Sequence, residues 1–146
     1  MSEEQIEFRF AGIQTMAKNL TALQPGEKTT GFNFEVKVET RVQAEAGNII
    51  IVVIIKILND NKESILANYE VWCIFEVIDF DIKILINDLG LHVIPDILQN
   101  TFLPVAISTV RGIIFSDLVG TYLQNAIMPV IYMTSFKPEV ANTERP

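Results

Sequence analysis

The sequence predicts an α+β protein: a four-stranded antiparallel sheet followed by a long kinked helix and a short C-terminal helix. Three observations carry this. Phe32, Phe34, Val36 and Val38 alternate with Asn33, Glu35, Lys37 and Glu39, a period of two that puts four apolar side chains on one face of a strand. Ile49 to Leu58 is a run so rich in β-branched residues that a strand covered on both faces fits it better than a helix. From about Pro95 to Phe115, Leu103, Ile107, Val110 and Ile114 fall at helical spacing, with Ala106 and Ile113 widening the stripe.

The elements follow in order. Phe8-Arg9-Phe10-Ala11-Gly12-Ile13 opens as a short alternation and leads into a polar connection with a turn at Pro25-Gly26. The second strand is Phe32 to Glu39, and Ala46-Gly47-Asn48 reads as a hairpin turn into the central third strand. Asn59-Asp60-Asn61-Lys62 makes the next turn. Ile65 to Ile78 is then a long fourth strand, with Glu70 and Glu76 on the face of Trp72, and the four strands read as a meander. Beyond Asp79 the charge thins out: residues 87–133 carry only Asp88, Asp96, Arg111 and Asp117, so this half is expected to be largely buried. Pro95 suits a first helical turn, Asp96 favours its N-terminal dipole, and Pro104 is expected to kink or break the helix. Pro129-Val130-Ile131-Tyr132-Met133 suggests a short final helix. The domain is expected to span 1–136, with 137–146 as a disordered tail.

Composition narrows the function. The chain has 146 residues, the size of one domain. Its net charge of -7 gives nucleic acid little electrostatic reason to bind. Hydrophobic residues make up 49% and charged residues 20%, apolar enough that oligomerisation or displayed apolar surface is expected. The longest aliphatic run, Ile49 to Ile55, falls well short of the roughly 20 residues that span a bilayer. The acidic start Met1-Ser2-Glu3-Glu4-Gln5 lacks a signal-peptide pattern, so a cytoplasmic location without membrane insertion is expected. Cys73, alone and within Val71-Trp72-Cys73-Ile74-Phe75, reads as a buried structural thiol.

The order of elements and the local sequence resemble the SecB family of protein-export chaperones. Phe8-x-Phe10-x-x-Ile13, then Lys18-Asn19-Leu20-Thr21 and Pro25, resemble the family's first strand and crossover. Phe32-x-Phe34-Glu35-Val36-Lys37-Val38 is similar to its second strand, with Phe32 in place of a tryptophan. Tyr69-Glu70-Val71 resembles the fourth strand. Leu89-Gly90, Pro95-Asp96-Ile97-Leu98 and Leu103-Pro104 resemble the first helix, although Pro95 and Pro104 stand about one turn further apart, and Pro129-Val130 with Tyr132 resembles the start of the last helix. The resemblance covers roughly residues 6–136. It implies a tetrameric holdase, a dimer of dimers without cofactor, that binds unfolded or partly folded polypeptides through an apolar groove flanked by Phe32, Phe34, Phe102, Met128 and Tyr132. It also implies docking to the translocase motor SecA through acidic positions. Two of these fall at Asn19 and Leu23 and only Glu70 is kept, so weak or absent SecA binding is expected.

Catalytic alternatives find little support. Asp88, His92 and Asp96 stand at i, i+4 and i+8, a spacing that would align them for metal or acid-base chemistry on an unbroken helix, but Pro95 lies between them. Ser108, Ser116 and Ser135 lack a nucleophile-elbow context, and Gly47, Gly90, Gly112 and Gly120 are isolated, so no phosphate-cradling loop is formed. No enzyme is therefore expected. Glu70 and Glu76, with Glu35 and Glu39, are candidates for docking a basic partner, against a plainly solvated strand face. Three readings result: an export holdase, a dedicated holdase for one partner such as a toxin-antitoxin component, and a small-ligand binding protein with its pocket between sheet and helix.

Overall fold

The computed structural model describes residues 6–21, 31–129 and 142–143. Its frame is an antiparallel sheet of β1 (Phe8–Leu20), β2 (Phe32–Gln43), β3 (Asn48–Asn59) and β4 (Ile65–Val77), followed by the long helix α2 (Asp96–Leu118). Between sheet and helix lie a one-turn α1 (Phe80–Lys83) and a small hairpin of β5 (Leu85–Ile86) and β6 (His92–Val93). The α+β class and the strand-then-helix order are as the sequence predicts.

The meander is corrected. Strand order is β1-β4-β3-β2, with β7 (Asn142–Thr143) parallel to β2 at Arg41 and Val42. Only β2, β3 and β4 follow one another as hairpins. β1 lies beyond β4, because the connection from Leu20 to Phe32 is longer than a hairpin loop and carries the chain to the opposite edge of the sheet. β1 also runs seven residues past Ile13. Register shifts between Phe10 and Gly12 and between Thr15 and Ala17 each insert one residue, so the helix-facing set is Phe8 and Phe10, then Ile13 and Thr15, then Lys18 and Leu20.

Turn chemistry sets the hairpins. After the 3₁₀ turn Ala44–Ala46, Gly47 takes φ 70° and its N–H donates to the Ala44 carbonyl at 3.1 Å. At the next turn the Asn59 side chain accepts from the N–H groups of Glu63 and Ser64, while Lys62 adopts φ 62°.

The core lies between one face of the sheet and α2. Ile49, Ile51, Val53, Ile55 and Ile57 of β3 and Tyr69, Val71, Cys73 and Phe75 of β4 meet Leu103, Ala106, Ile107, Val110 and Ile114, the predicted helical stripe. α2 starts with Pro95 as its N-cap and runs unbroken through Pro104 for 23 residues. Proline has no N–H for the Asn100 carbonyl, and Asn100 is exposed, so water can satisfy that group. By length and composition α2 is apolar enough to cross a bilayer, but here one of its faces is packed on the sheet.

The outer face of β3 is buried at its centre. Ile50 and Val52 are fully buried although they face away from α2. Cross-strand neighbours cover them: Arg41 and Ile74 flank Ile50, Glu39 and Trp72 flank Val52, and the Arg41 guanidinium lies 4.9 Å from the centre of the Trp72 ring. Among the described residues, the long side chains of Arg41 and Trp72 thus contribute to the cover.

Candidate functional site: a phenylalanine-lined cleft at the start of beta strand 2

Phe32 and Phe34 share parity with Val36 and Val38, so all four point to the helix side. At the start of β2 this face is not closed. Phe32, Asn33 and Phe34 form one wall of a cleft of about 450 Å³, and Asn125, Ile127 and Pro129, from the chain that follows α2, form the other. Both phenylalanines are half-buried, held against the core while presenting ring surface.

The returning chain is fixed from beneath. Leu123, Ala126 and Met128 are buried, and Tyr122 donates its hydroxyl hydrogen to the Thr21 carbonyl at the end of β1. Ile127, exposed between them, lines a second cleft of about 280 Å³ on its other side, with Ser108, Gly112 and Phe115 of α2. Ile127 is therefore shared by the two clefts, on a strip held by its buried neighbours. Such an arrangement can hold extended apolar polypeptide by contact area; among the described residues no three His, Cys, Asp or Glu are grouped to hold a metal.

The structure divides the residues predicted for client binding. Phe32 and Phe34 line the cleft. Phe102, expected beside them, is instead completely buried, stacked on Phe75 at 4.1 Å and met edge-on by Phe8 at 4.9 Å. It sits on the flank of α2 that faces β4 and β1, so packing claims it. Met128 is largely buried yet lines the second cleft beside Ile127, the exposed position of the same strip. Tyr132, and with it the expected last helix, lies outside the described residues.

Glu70 and Glu76 share the outer sheet face with Trp72, as predicted, and each has a partner. Glu70 accepts from the Trp72 indole N–H at 3.0 Å, and Glu76 pairs with Arg9 of β1 at 3.0 Å. Glu39 lies between Lys37 at 3.1 Å and Arg41 at 3.2 Å, and the Lys37 hydrogen bond, followed by that of Arg41, holds its carboxyl below the ordinary range against the opposing effect of burial. The face carries Arg9, Lys37, Arg41 and Lys56 against Glu35, Glu39, Glu70 and Glu76, a balanced set. The pairings are not legible in the sequence, because Arg9 comes from another strand and Lys37 and Arg41 stand two residues from Glu39 on an extended chain.

Asp88, His92 and Asp96 are separated by the fold. Asp88 is in the β5–β6 turn, His92 is buried against Phe80, and Asp96 opens α2. Cys73 is buried, and burial pushes its thiol up to about 11, which keeps it protonated and unreactive at neutral pH.

No family model matches the chain, and no curated protein matches it. Among solved structures it is similar to the Mycobacterium tuberculosis SecB-like chaperone Rv1957, solved in complex with a ChAD peptide from the Rv1956 HigA1 antitoxin. That match has a TM-score of 0.45 and 12% identity, and covers 90% of this chain and 93% of the other.

Proposed function

We propose that this protein is a SecB-like holdase that binds non-native polypeptide segments in the cleft between β2 and the chain after α2. The carrying observation is the cleft itself: half-buried Phe32 and Phe34 face Ile127 and Pro129 across an open space whose remaining lining, Asn33 and Asn125, can hydrogen-bond a polypeptide backbone. Contact area of this kind is tolerant of sequence, which suits many clients and needs no nucleotide; client capture follows mass action on the unfolded state. Replacing Phe32 by Ser tests it. Several-fold more protein should then be needed to suppress aggregation of a reduced, unfolding client, with the particle mass unchanged; unaltered suppression would refute the assignment.

Assembly as a dimer of dimers in the cytoplasm belongs to the same proposal. The outward face of α2 offers Ile97, Val105, Phe115 and Val119, and β1 adds Phe8, Phe10 and Ile13, all exposed. A stable 16 kDa particle in light scattering at micromolar concentration would defeat it.

Within this proposal a dedicated holdase, serving one partner such as a toxin-antitoxin component, is favoured over export. Asn19 pairs with Asn68 on the outer face where the family resemblance expects acid, and Glu70 and Glu76 are already engaged by Trp72 and Arg9. Little free carboxylate is left there for the SecA motor.

A further inference from the structure

The connection from sheet to helix, residues 78–95, is a built element with an unusual outside. Its inward side chains Phe80, Ile84, His92 and Ile94 are buried, with the Phe80 and His92 rings 5.8 Å apart. The turn of its hairpin is fixed by Asn87, whose side chain accepts from the N–H groups of Leu89 and Leu91 at 2.9 and 3.0 Å, while its own N–H donates to the Leu91 carbonyl at 2.8 Å. Gly90 closes the turn at φ 79°.

On this frame the outward side chains are large and apolar. Leu89 is 82% exposed at the tip, Ile82 72%, Leu85 65% and Ile86 62%. Val93, the cross-strand partner of Leu85, is exposed beside it. Apolar side chains left in water gain stability when a partner covers them, so this surface holds unrealised burial that a partner can collect.

Charge selects the partner. Between Ile78 and Ile97 the acidic residues are Asp79, Asp81, Asp88 and Asp96, all exposed, and Lys83 is the sole Lys or Arg. A second copy would bring the same acidic excess on a chain of net charge -7, so like charges oppose self-association through this surface. A segment that covers the leucines and neutralises the aspartates is apolar on one side and basic on the other.

We propose that the β5–β6 hairpin with α1 is a docking surface for a basic amphipathic segment of a partner polypeptide. The surface is formed by residues other than those lining the β2 cleft and does not depend on the holdase reading. The test uses the full chain and a labelled amphipathic peptide of Leu and Lys, alongside the same peptide with Glu for Lys, read by fluorescence anisotropy. The Lys peptide should bind and weaken as salt rises from about 0.05 to about 0.3 M, where the screening length falls towards a few ångströms. The Glu peptide should bind at least tenfold more weakly. The double variant Leu85→Ser/Leu89→Ser should lose at least tenfold in affinity with unchanged circular dichroism and particle mass. Asp81→Asn/Asp88→Asn should lose affinity several-fold at low salt only, and Phe32→Ser should bind as the parent does. Equal binding of both peptides, unchanged affinity in Leu85→Ser/Leu89→Ser, loss of binding in Phe32→Ser, or a smaller particle in the double leucine variant would each overturn the proposal. The last would make the surface a contact between copies.

Discussion

Phe102→Ala separates core from client surface most sharply. The ring is fully buried, stacks on Phe75 and takes the edge of Phe8, so its removal loses apolar burial, two aromatic contacts and leaves a cavity that α2 and the sheet can only partly close. Phe→Ala in a core costs about 3–5 kcal/mol, and aromatic pairs add about 0.5–1.5 kcal/mol beyond area, which puts this site in the upper part of that range, about 4–5 kcal/mol. For a chain near 150 residues each kcal/mol moves the Tm by about 2–4 °C, giving a fall of roughly 8–20 °C. Urea unfolding at fixed protein concentration, followed by far-UV circular dichroism, measures it; concentration is fixed because assembly adds to apparent stability. Phe32→Ala, at a half-buried ring, should cost about 2 kcal/mol or less. If Phe102→Ala costs under about 1.5 kcal/mol and instead abolishes client protection, the ring belongs to the groove and the packing argument fails.

Other consequences can be checked alongside. Cys73 should react with a thiol reagent only as fast as the protein opens, so adding denaturant should accelerate labelling steeply; rapid labelling of the native protein would contradict its burial. The carboxyl of Glu39 is held below its ordinary value of 4.5, so its contribution is present at neutral pH and fades as the pH falls through the folded-state value. Glu39→Gln should therefore be the less stable protein near pH 7, by at most about 1 kcal/mol for a cluster that water still reaches, and the gap should narrow below pH 4.5. A gap that widens in acid would reverse the assignment. Titration against SecA by calorimetry should show weak or no binding; submicromolar, strongly salt-dependent binding would restore the export reading.

Much of the sheet was readable because two of its strands carry simple patterns. The alternation of β2 survives into its register with β3, and the β-branched run marks β3 to within a residue at each end, Asn48–Asn59 against Ile49 to Leu58. β1 was legible only to Ile13, since each bulge reverses the parity of the residues after it and erases a period of two. The connection from Leu20 to Phe32 did carry a usable signal, being too long for a hairpin. Of the site, Phe32 and Phe34 could be read from their shared parity with Val36 and Val38. Phe102 could not, because a flank position on a helix is buried or open according to what packs beside it, here Phe8 and Phe75. The hairpin at residues 85–93 is not legible, because β5 and β6 are two residues each, too short to show any period.

The place of β1 beside β4 has a consequence in time. Leu20 meets Ala67 at one end of this ladder and Phe8 meets Val77 at the other, so even the nearest partners are 47 residues apart, whereas β2, β3 and β4 close on their immediate neighbours. A chain made from its N-terminus at ~5–20 residues per second leaves β1 waiting roughly 2–9 s for the first residue of its ladder partner to be added. During that wait Phe8, Phe10 and Ile13 have no sheet to join, and the three later strands can zip together first because their loops are short. The strand synthesised first is thus the last to be seated, and the nascent protein passes through a stage in which its own N-terminal segment is an unfolded apolar polypeptide.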